Sequence, residues 1–227
     1  MKSKFFLSVF VVACFASINA DAQLQRFYEN AKVGYKNIET GAVVVPAKYY
    51  AGSEFMEGYA LVLEGRKRGF IDAKGEVIIP FEYDDASIFY DGVARVMKGG
   101  KHGYINMKGE TVIPFIYDFA DDFKGGLARV SKGGKWGFIN TKGETAIEFI
   151  YTNANNFEGN LAPVQTENGK WGYIDRTGKF AIQPKYADAQ VFRNGEALIN
   201  DGKEYYFIND KGKKVREMPK HNELEKD

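Results

Sequence analysis

The sequence of 227 residues contains one cysteine, two histidines and six prolines. Because Cys14 has no second cysteine to pair with, no intrachain disulfide can form, and a hydrophobic core must hold the fold together. So few cysteines and histidines cannot assemble a zinc site of the ordinary kind. The sparse proline, together with 25 glycines, about 11% against the usual 7% or so, predicts many tight turns and short strands.

The sequence also lacks an apolar run long enough to cross a bilayer as a helix, which takes about 20 residues. The apolar run at residues 5–16 follows Lys2 and Lys4 and precedes small residues, an order that predicts a signal peptide over residues 1–22, cleaved after Ala22. We therefore expect an exported protein that is periplasmic, at the outer surface or secreted. Residues 11–14 also resemble a lipobox, so the alternative is a lipoprotein anchored through Cys14.

Neither sign of charge is in excess. Removal of residues 1–22 takes away two lysines and one aspartate and leaves 29 basic and 29 acidic residues, a net charge of zero. This balance gives no reason to expect nucleic acid or an anionic membrane surface as a partner. The following acidic residues do not recur at a fixed offset, and we expect them in turns rather than as Ca²⁺ ligands: Asp84, Asp85, Asp118, Asp121 and Asp122.

A segment of 34 or 35 residues recurs along the chain, which is typical of repeat proteins. Two copies are nearly identical, "GKWGFINTKGE" from residue 134 and "GKWGYIDRTGK" from residue 169. The glycine after the tryptophan sets the register, at Gly34, Gly69, Gly103, Gly137 and Gly172, with Tyr206 in the sixth copy. An aromatic residue follows each time, and a second glycine ends each segment, at Gly41, Gly75, Gly109, Gly143, Gly178 and Gly212.

Each repeat predicts three short strands, which we name A, B and C. Strand A is of the "WGFIN" type, and the Asp or Asn at its end, three residues before a glycine, predicts a tight turn. Strand B, as in "TVIPFIY", usually contains a proline, which must lie at a strand end or on a sheet edge. Strand C is of the "LARV" type, and a hairpin such as "KGGK" joins it to the next strand A.

The predicted fold is all-β, with about six three-stranded antiparallel meanders that begin near residues 24, 59, 93, 127, 161 and 196. They form one domain over residues 23–212, and we expect the charged tail at residues 213–227 to fray. A single meander cannot bury its apolar face, so the units must stack. Propeller blades have four strands and about 40–50 residues. The smaller unit favours an open, twisted, solenoid-like array, and a closed six-unit propeller-like ring is the alternative.

Trp136 and Trp171 are the candidate binding residues, because an indole offers a flat apolar face and one N–H donor to a sugar or another flat ligand. The alternative is that they cover the hairpin and the next unit. His102, the one histidine within the repeats, occupies this same variable position, and no nucleophile is paired with it. Residues 98–101 join two strands and are not a phosphate-binding loop. We therefore expect no catalytic residue, no metal and no cofactor.

The segments "KWGFINTKGE", "KWGYIDRTGK" and "VIPFIYDFADDFKGGLARV" resemble the WG (KWG) β-repeat family of bacterial proteins over about residues 24–212. The resemblance implies a repeat β fold in exported or surface proteins and supplies no catalytic residues. Four positions depart from the family pattern, and we expect them to weaken single turns: Arg68 and His102 in place of Trp, Glu148 in place of Pro, and Tyr206 in place of Gly.

The sequence therefore predicts an exported, non-catalytic module that binds or organises another protein of the envelope or cell surface. The alternative is a module that binds glycan or cell wall through Trp136 and Trp171. An enzyme is the least favoured of the three classes, because every carboxylate pair lies in a predicted turn.

Overall fold

The computed structural model describes residues 24–90 and 92–218. Over these residues the chain is all-β, as predicted, and forms six antiparallel sheets. The predicted signal peptide with Cys14, and the tail residues 219–227 with His221, lie outside the described residues. Within the described part, no helix is long and apolar enough to cross a membrane.

The six sheets follow one another along the chain. The first contains β1 (Leu24–Glu29), β2 (Lys32–Asn37) and β3 (Val43–Tyr49). The second contains β4 (Ala51–Gly52), β5 (Tyr59–Glu64), β6 (Lys67–Asp72) and β7 (Val77–Tyr83). The third contains β8 (Asp85–Ala86), β9 (Val93–Lys98), β10 (Lys101–Asn106) and β11 (Thr111–Tyr117). The fourth contains β12 (Phe119–Ala120), β13 (Leu127–Lys132), β14 (Lys135–Asn140) and β15 (Thr145–Tyr151). The fifth contains β16 (Asn153–Ala154), β17 (Leu161–Gln165), β18 (Trp171–Asp175) and β19 (Phe180–Tyr186). The sixth contains β20 (Asp188–Ala189), β21 (Ala197–Asn200), β22 (Tyr205–Ile208) and β23 (Lys214–Glu217).

Five of the six sheets have four strands rather than the predicted three. The additional strand is two residues long and comes from the link between strands B and C, which runs antiparallel to strand C. In the fourth sheet, for example, the Asp118 N–H donates to the Ser131 carbonyl at 2.8 Å and the Asp121 N–H to the Arg129 carbonyl at 2.9 Å. The order in these sheets is short strand, C, A, B, which gives each the strand number of a propeller blade.

The recurring glycine of strand A allows two strands to approach closely. A Cβ on Gly137 would lie 2.7 Å from the Ile147 carbonyl oxygen, and the four other glycines at this position have the same restriction at 2.6–2.7 Å. The pairing of β14 with β15 shifts register on both sides of Phe138, as at a β-bulge. In the sixth sheet Tyr206 pairs directly with Glu217, and this register leaves room for a side chain.

The predicted turn between strands A and B forms as the sequence indicates. The Asn140 side-chain oxygen accepts from the N–H groups of Lys142 and Glu144 at 3.0 Å, and Gly143 has a φ of +79°. A Cβ on Gly143 would lie 3.1 Å from the side chain of Ile113 in the preceding sheet. The turn glycine therefore serves both chain reversal and contact between units.

The core lies between the sheets, in five clusters that each join two consecutive sheets. The two faces of strand A contribute to different clusters. Ile139 packs toward the third sheet, while Phe138 packs toward the fifth, with its ring centroid 4.9 Å from that of Phe157. The same pairing of a strand-A ring with a link phenylalanine recurs at all five junctions between sheets. Each unit is therefore buried by its neighbours, as in a repeat array.

The two terminal sheets carry polar residues where the inner sheets carry apolar ones. On the first sheet, Gln25 and Lys36 occupy the places of Ala128 and Ile139. On the sixth sheet, Arg216 pairs with Phe207 where an inner sheet has an isoleucine. Its guanidinium lies 3.4 Å from the Phe207 ring centroid. Among the described residues, no core cluster and no ion pair joins the first sheet to the sixth. Polar end units are what an open array requires.

The structure corrects two expectations about single segments. Residues 214–217 of the expected tail are not frayed but form β23, which pairs with β22. Four residues depart from the family pattern, and all of them lie within strands and not in turns: Arg68, His102, Glu148 and Tyr206. Strand B is the edge strand of every sheet, which is where its proline was expected.

Candidate binding surface

The two candidate tryptophans occupy equivalent positions but differ in their surroundings. Trp171 is 8% exposed and belongs to the core cluster between the fifth and sixth sheets. Trp136 is half-buried, and the guanidinium carbon of Arg129 lies 4.6 Å from its ring centroid. The Phe119 ring packs beside it, with the two centroids 5.4 Å apart. Only part of one indole therefore faces solvent.

Arg129 connects this aromatic group to the next sheet. Its Nε donates to the Asp121 carboxylate at 2.8 Å, and its Nη1 donates to the Ala154 carbonyl of β16. Arg26 makes the equivalent bond to the Gly52 carbonyl of β4, at 2.8 Å. These arginines hold the C strand of one unit to the short strand of the following unit.

His102 lines a cavity of about 380 Å³ beside the short strands of the third and fourth sheets, together with Asp85, Arg95, Met97 and Asp122. Its ring is 8% exposed, and burial, followed by the nearby charge of Arg95, lowers its pKa. Burial alone would raise the pKa of Asp85, but the hydrogen bond from Arg95, at 2.9 Å, and its charge outweigh this effect and lower it. The lining contains no hydroxyl or thiol nucleophile, and its arrangement is that of an ion-pair network.

Metal ligation has no support in the described part of the chain. No group of three or more histidine, aspartate, glutamate or cysteine side chains is placed to hold a metal ion there. Asp85 and Asp122 are both paired with Arg95, the second at 3.4 Å. Asp121 is paired with Arg129. These three link aspartates therefore compensate arginines, while Asp84 and Asp118 pair with Lys67 and Lys101.

An exposed apolar row runs along the edge strands of the first three sheets. It consists of the first residues of strands B, which are 37–57% exposed: Val43, Val44, Val77, Ile78 and Val112. The turn before β7 packs on β3, since a Cβ on Gly75 would lie 2.7 Å from Val45. The turn before β11 packs on β7 in the same way, through Gly109 and Ile79. The groups of the row on β3, β7 and β11 therefore come from neighbouring sheets, and the row is a candidate contact surface.

The sequence contains a signal for this row at the start of strands B, outside the motif of strand A. Strands B begin with consecutive apolar residues, as in "VVVP" and "VIIP", instead of alternating apolar and polar residues. On a strand, neighbouring side chains point to opposite faces, so consecutive apolar residues place some outside the core unless both faces are covered.

The repeat pattern has a counterpart in a known family. The family model described as "WG containing repeat" matches residues 69–101, 103–136, 136–171 and 171–205, more than half of the chain. The chain belongs to this family of WG-repeat proteins. No curated protein matches the sequence.

Several solved structures resemble the chain at low identity. A eukaryotic initiation factor is 13% identical with a TM-score of 0.52, over 88% of this chain and 63% of its own. The computationally designed Ika8 protein is 12% identical with a TM-score of 0.44, over 86% of this chain and 70% of its own. Hsv2 of Kluyveromyces lactis is 9% identical with a TM-score of 0.45, over 84% of this chain and 72% of its own. At 13% identity, the likeness to the initiation factor concerns the fold alone.

Proposed function

We propose that this chain is an exported, non-catalytic repeat module that binds another protein of the cell envelope or surface. The observation that carries the proposal is the apolar row of Val43, Val44, Val77, Ile78 and Val112. Exposed apolar side chains that are grouped on one edge, and absent from the core clusters, are typical of contact surfaces between proteins. Export is supported by the N-terminal sequence alone.

The contrast with the later units supports a specific surface rather than a general property of the repeat. At the second position of strand B, the fourth and fifth units carry Ala146 and Ala181 instead of a valine or isoleucine. Large apolar side chains at this position therefore lie together on β3, β7 and β11, and the sixth unit carries Val215 on β23, separated from them by the two alanine units. A requirement of the fold alone would apply equally to all units.

Glycan binding has less support from the geometry. A sugar platform requires an accessible ring face. Trp171 is buried, and Arg129 lies over part of Trp136. We therefore place the binding surface on the strand edges and not on the tryptophans.

The proposal is tested by affinity capture from the native envelope with the full chain. The double variant V44K/I78K places two charges in the apolar row and should lose the captured protein. The control A181K adds a lysine at an equivalent exposed position of the fifth unit and should retain it. Equal capture by both variants would contradict the proposal. Binding to purified peptidoglycan that W136A abolishes would instead support the glycan alternative.

A further inference from the structure

Glu148 interrupts a pattern that protects the free sheet edges. Strand B is an edge strand in every sheet, so its outer backbone groups have no partner strand among the described residues. The fourth residue of strand B is Pro46, Pro80 and Pro114 in the first three units. In the fourth unit it is Glu148, and β15 contains no proline. The fifth unit has Gln183 there, with Pro184 one residue later, and the sixth has Glu217. Proline on an edge strand is a known protection against pairing with another chain.

The structure shows where the N–H of Glu148 points. The carbonyl oxygen of Ile147 lies on the side of β14, against Gly137. In a trans peptide the C=O and the following N–H point in opposite directions, so the Glu148 N–H points away from β14. The same geometry at Gly103 and Ile113 places the nitrogen of Pro114 at the open edge. Proline therefore removes an edge donor without breaking the sheet, and β15 keeps that donor.

A groove lies beside the second half of β15. It has a volume of about 570 Å³ and is lined by Phe149, Ile150, Tyr151 and Phe180, with the hairpin at residues 166–168 opposite. Ile150 is 57% exposed. The volume is sufficient for a large apolar side chain, and the aromatic walls are suited to one.

The charge at this edge indicates what kind of segment fits. Glu148 is exposed, and no ion pair to it is present among the described residues. Opposite charges on adjacent strands stabilise their pairing, and like charges destabilise it. A second copy of this chain, paired antiparallel about Glu148, would bring two glutamates together. The edge therefore favours a different chain with a basic residue.

We propose that β15 is a strand-addition site, where an extended segment of the partner protein pairs with the free edge. A lysine or arginine of that segment lies beside Glu148, and a large apolar side chain enters the groove at Ile150. In this mode of recognition the backbone hydrogen bonds supply affinity, while alternate side chains supply specificity. The inference rests on the proposed protein-binding function and adds to the apolar row a second contact, on β15, with its chemistry.

The test uses the variant E148P, which restores the residue of the first three units and should therefore fold. The probe is the capped peptide KVKFKVK, and the measurements are fluorescence anisotropy and amide hydrogen exchange. We expect the peptide to protect the Glu148 amide of the unmodified protein, and E148P to bind at least about tenfold more weakly. The control E148Q keeps the N–H and should lose only about threefold. The peptide EVEFEVE should bind more weakly than KVKFKVK.

Unchanged affinity of E148P, or protection confined to other strands, would overturn the strand-addition site. Failure of the strand-addition proposal can be distinguished from failure of the proposed protein-binding function. If V44K/I78K loses the captured envelope protein while E148P binds the probe as well as the unmodified protein does, the module binds a protein but not through β15. If neither substitution affects any binding, both proposals are wrong.

Discussion

The substitution of Gly137 by alanine tests whether the close approach of strands A and B is essential to the stability of the repeat. The added Cβ would lie 2.7 Å from the Ile147 carbonyl oxygen, whereas ordinary contact begins near 3.4 Å. The two strands would have to separate by about 0.7 Å. A ladder bond of about 2.9 Å would then stretch beyond hydrogen-bond range. Overpacking costs about 1–3 kcal/mol, and each lost bond about 1 kcal/mol, so we expect a loss of about 2–4 kcal/mol.

Urea unfolding followed by tryptophan fluorescence measures this loss, because Trp136 is adjacent to the substituted position. Amide hydrogen exchange of β14 and β15 locates it. The matched control is G134A, in a hairpin with a φ of +74° and no heavy atom within 4 Å of an added Cβ. It should cost only about 1–2 kcal/mol, from the left-handed backbone conformation. If G137A is no more destabilising than G134A, the close-approach argument is refuted.

Three further predictions concern the buried histidine, the end units and the strand-A tyrosine. Burial and the charge of Arg95 hold the pKa of His102 below the usual value of about 6.5. Urea midpoints should therefore fall as the pH drops through about 6.5, and H102W should remove that part of the loss. Replacement of both Lys36 and Arg216 by isoleucine should produce head-to-tail association, and a monomer at high concentration in sedimentation would contradict the capping role. Y104F removes the hydroxyl that donates to the Asp121 carbonyl and should cost about 1 kcal/mol in urea unfolding, since the equivalent residue in three other units is already phenylalanine.

The sequence was sufficient to predict the architecture because the repeat is built from local chemistry. The turn at Asn140 and Gly143 needs only a side-chain oxygen and a left-handed glycine a few residues apart. The period of 34 or 35 residues then indicated that one unit is copied. The fourth strand was not predictable in this way, because Phe119–Ala120 is too short to show an alternating pattern, and its bonds go to a strand several residues away in the chain.

The candidate surfaces were harder to predict because burial depends on which residues lie in the adjacent sheet. Trp136 and Trp171 belong to nearly identical motifs, yet one is half-buried beside Arg129 and the other lies in a core cluster. The residue equivalent to Arg129 in the fifth sheet is Pro163, which has no side chain to extend over the indole. The valines of the apolar row resemble core residues in the sequence, and only their edge position explains their exposure.

In a repeat protein the residues that recur in every unit build the fold. A function specific to one place must therefore lie where a unit departs from the repeated pattern. Lys36 and Arg216 replace isoleucines, and the structure places both on the outer faces of the terminal sheets. Glu148 replaces a proline, and the structure places it on an open strand edge beside a groove. The first two departures place charges on the faces where a further sheet would pack. The third leaves the outer N–H of β15 free to pair beside that groove, and this is why we expect a strand of the partner there.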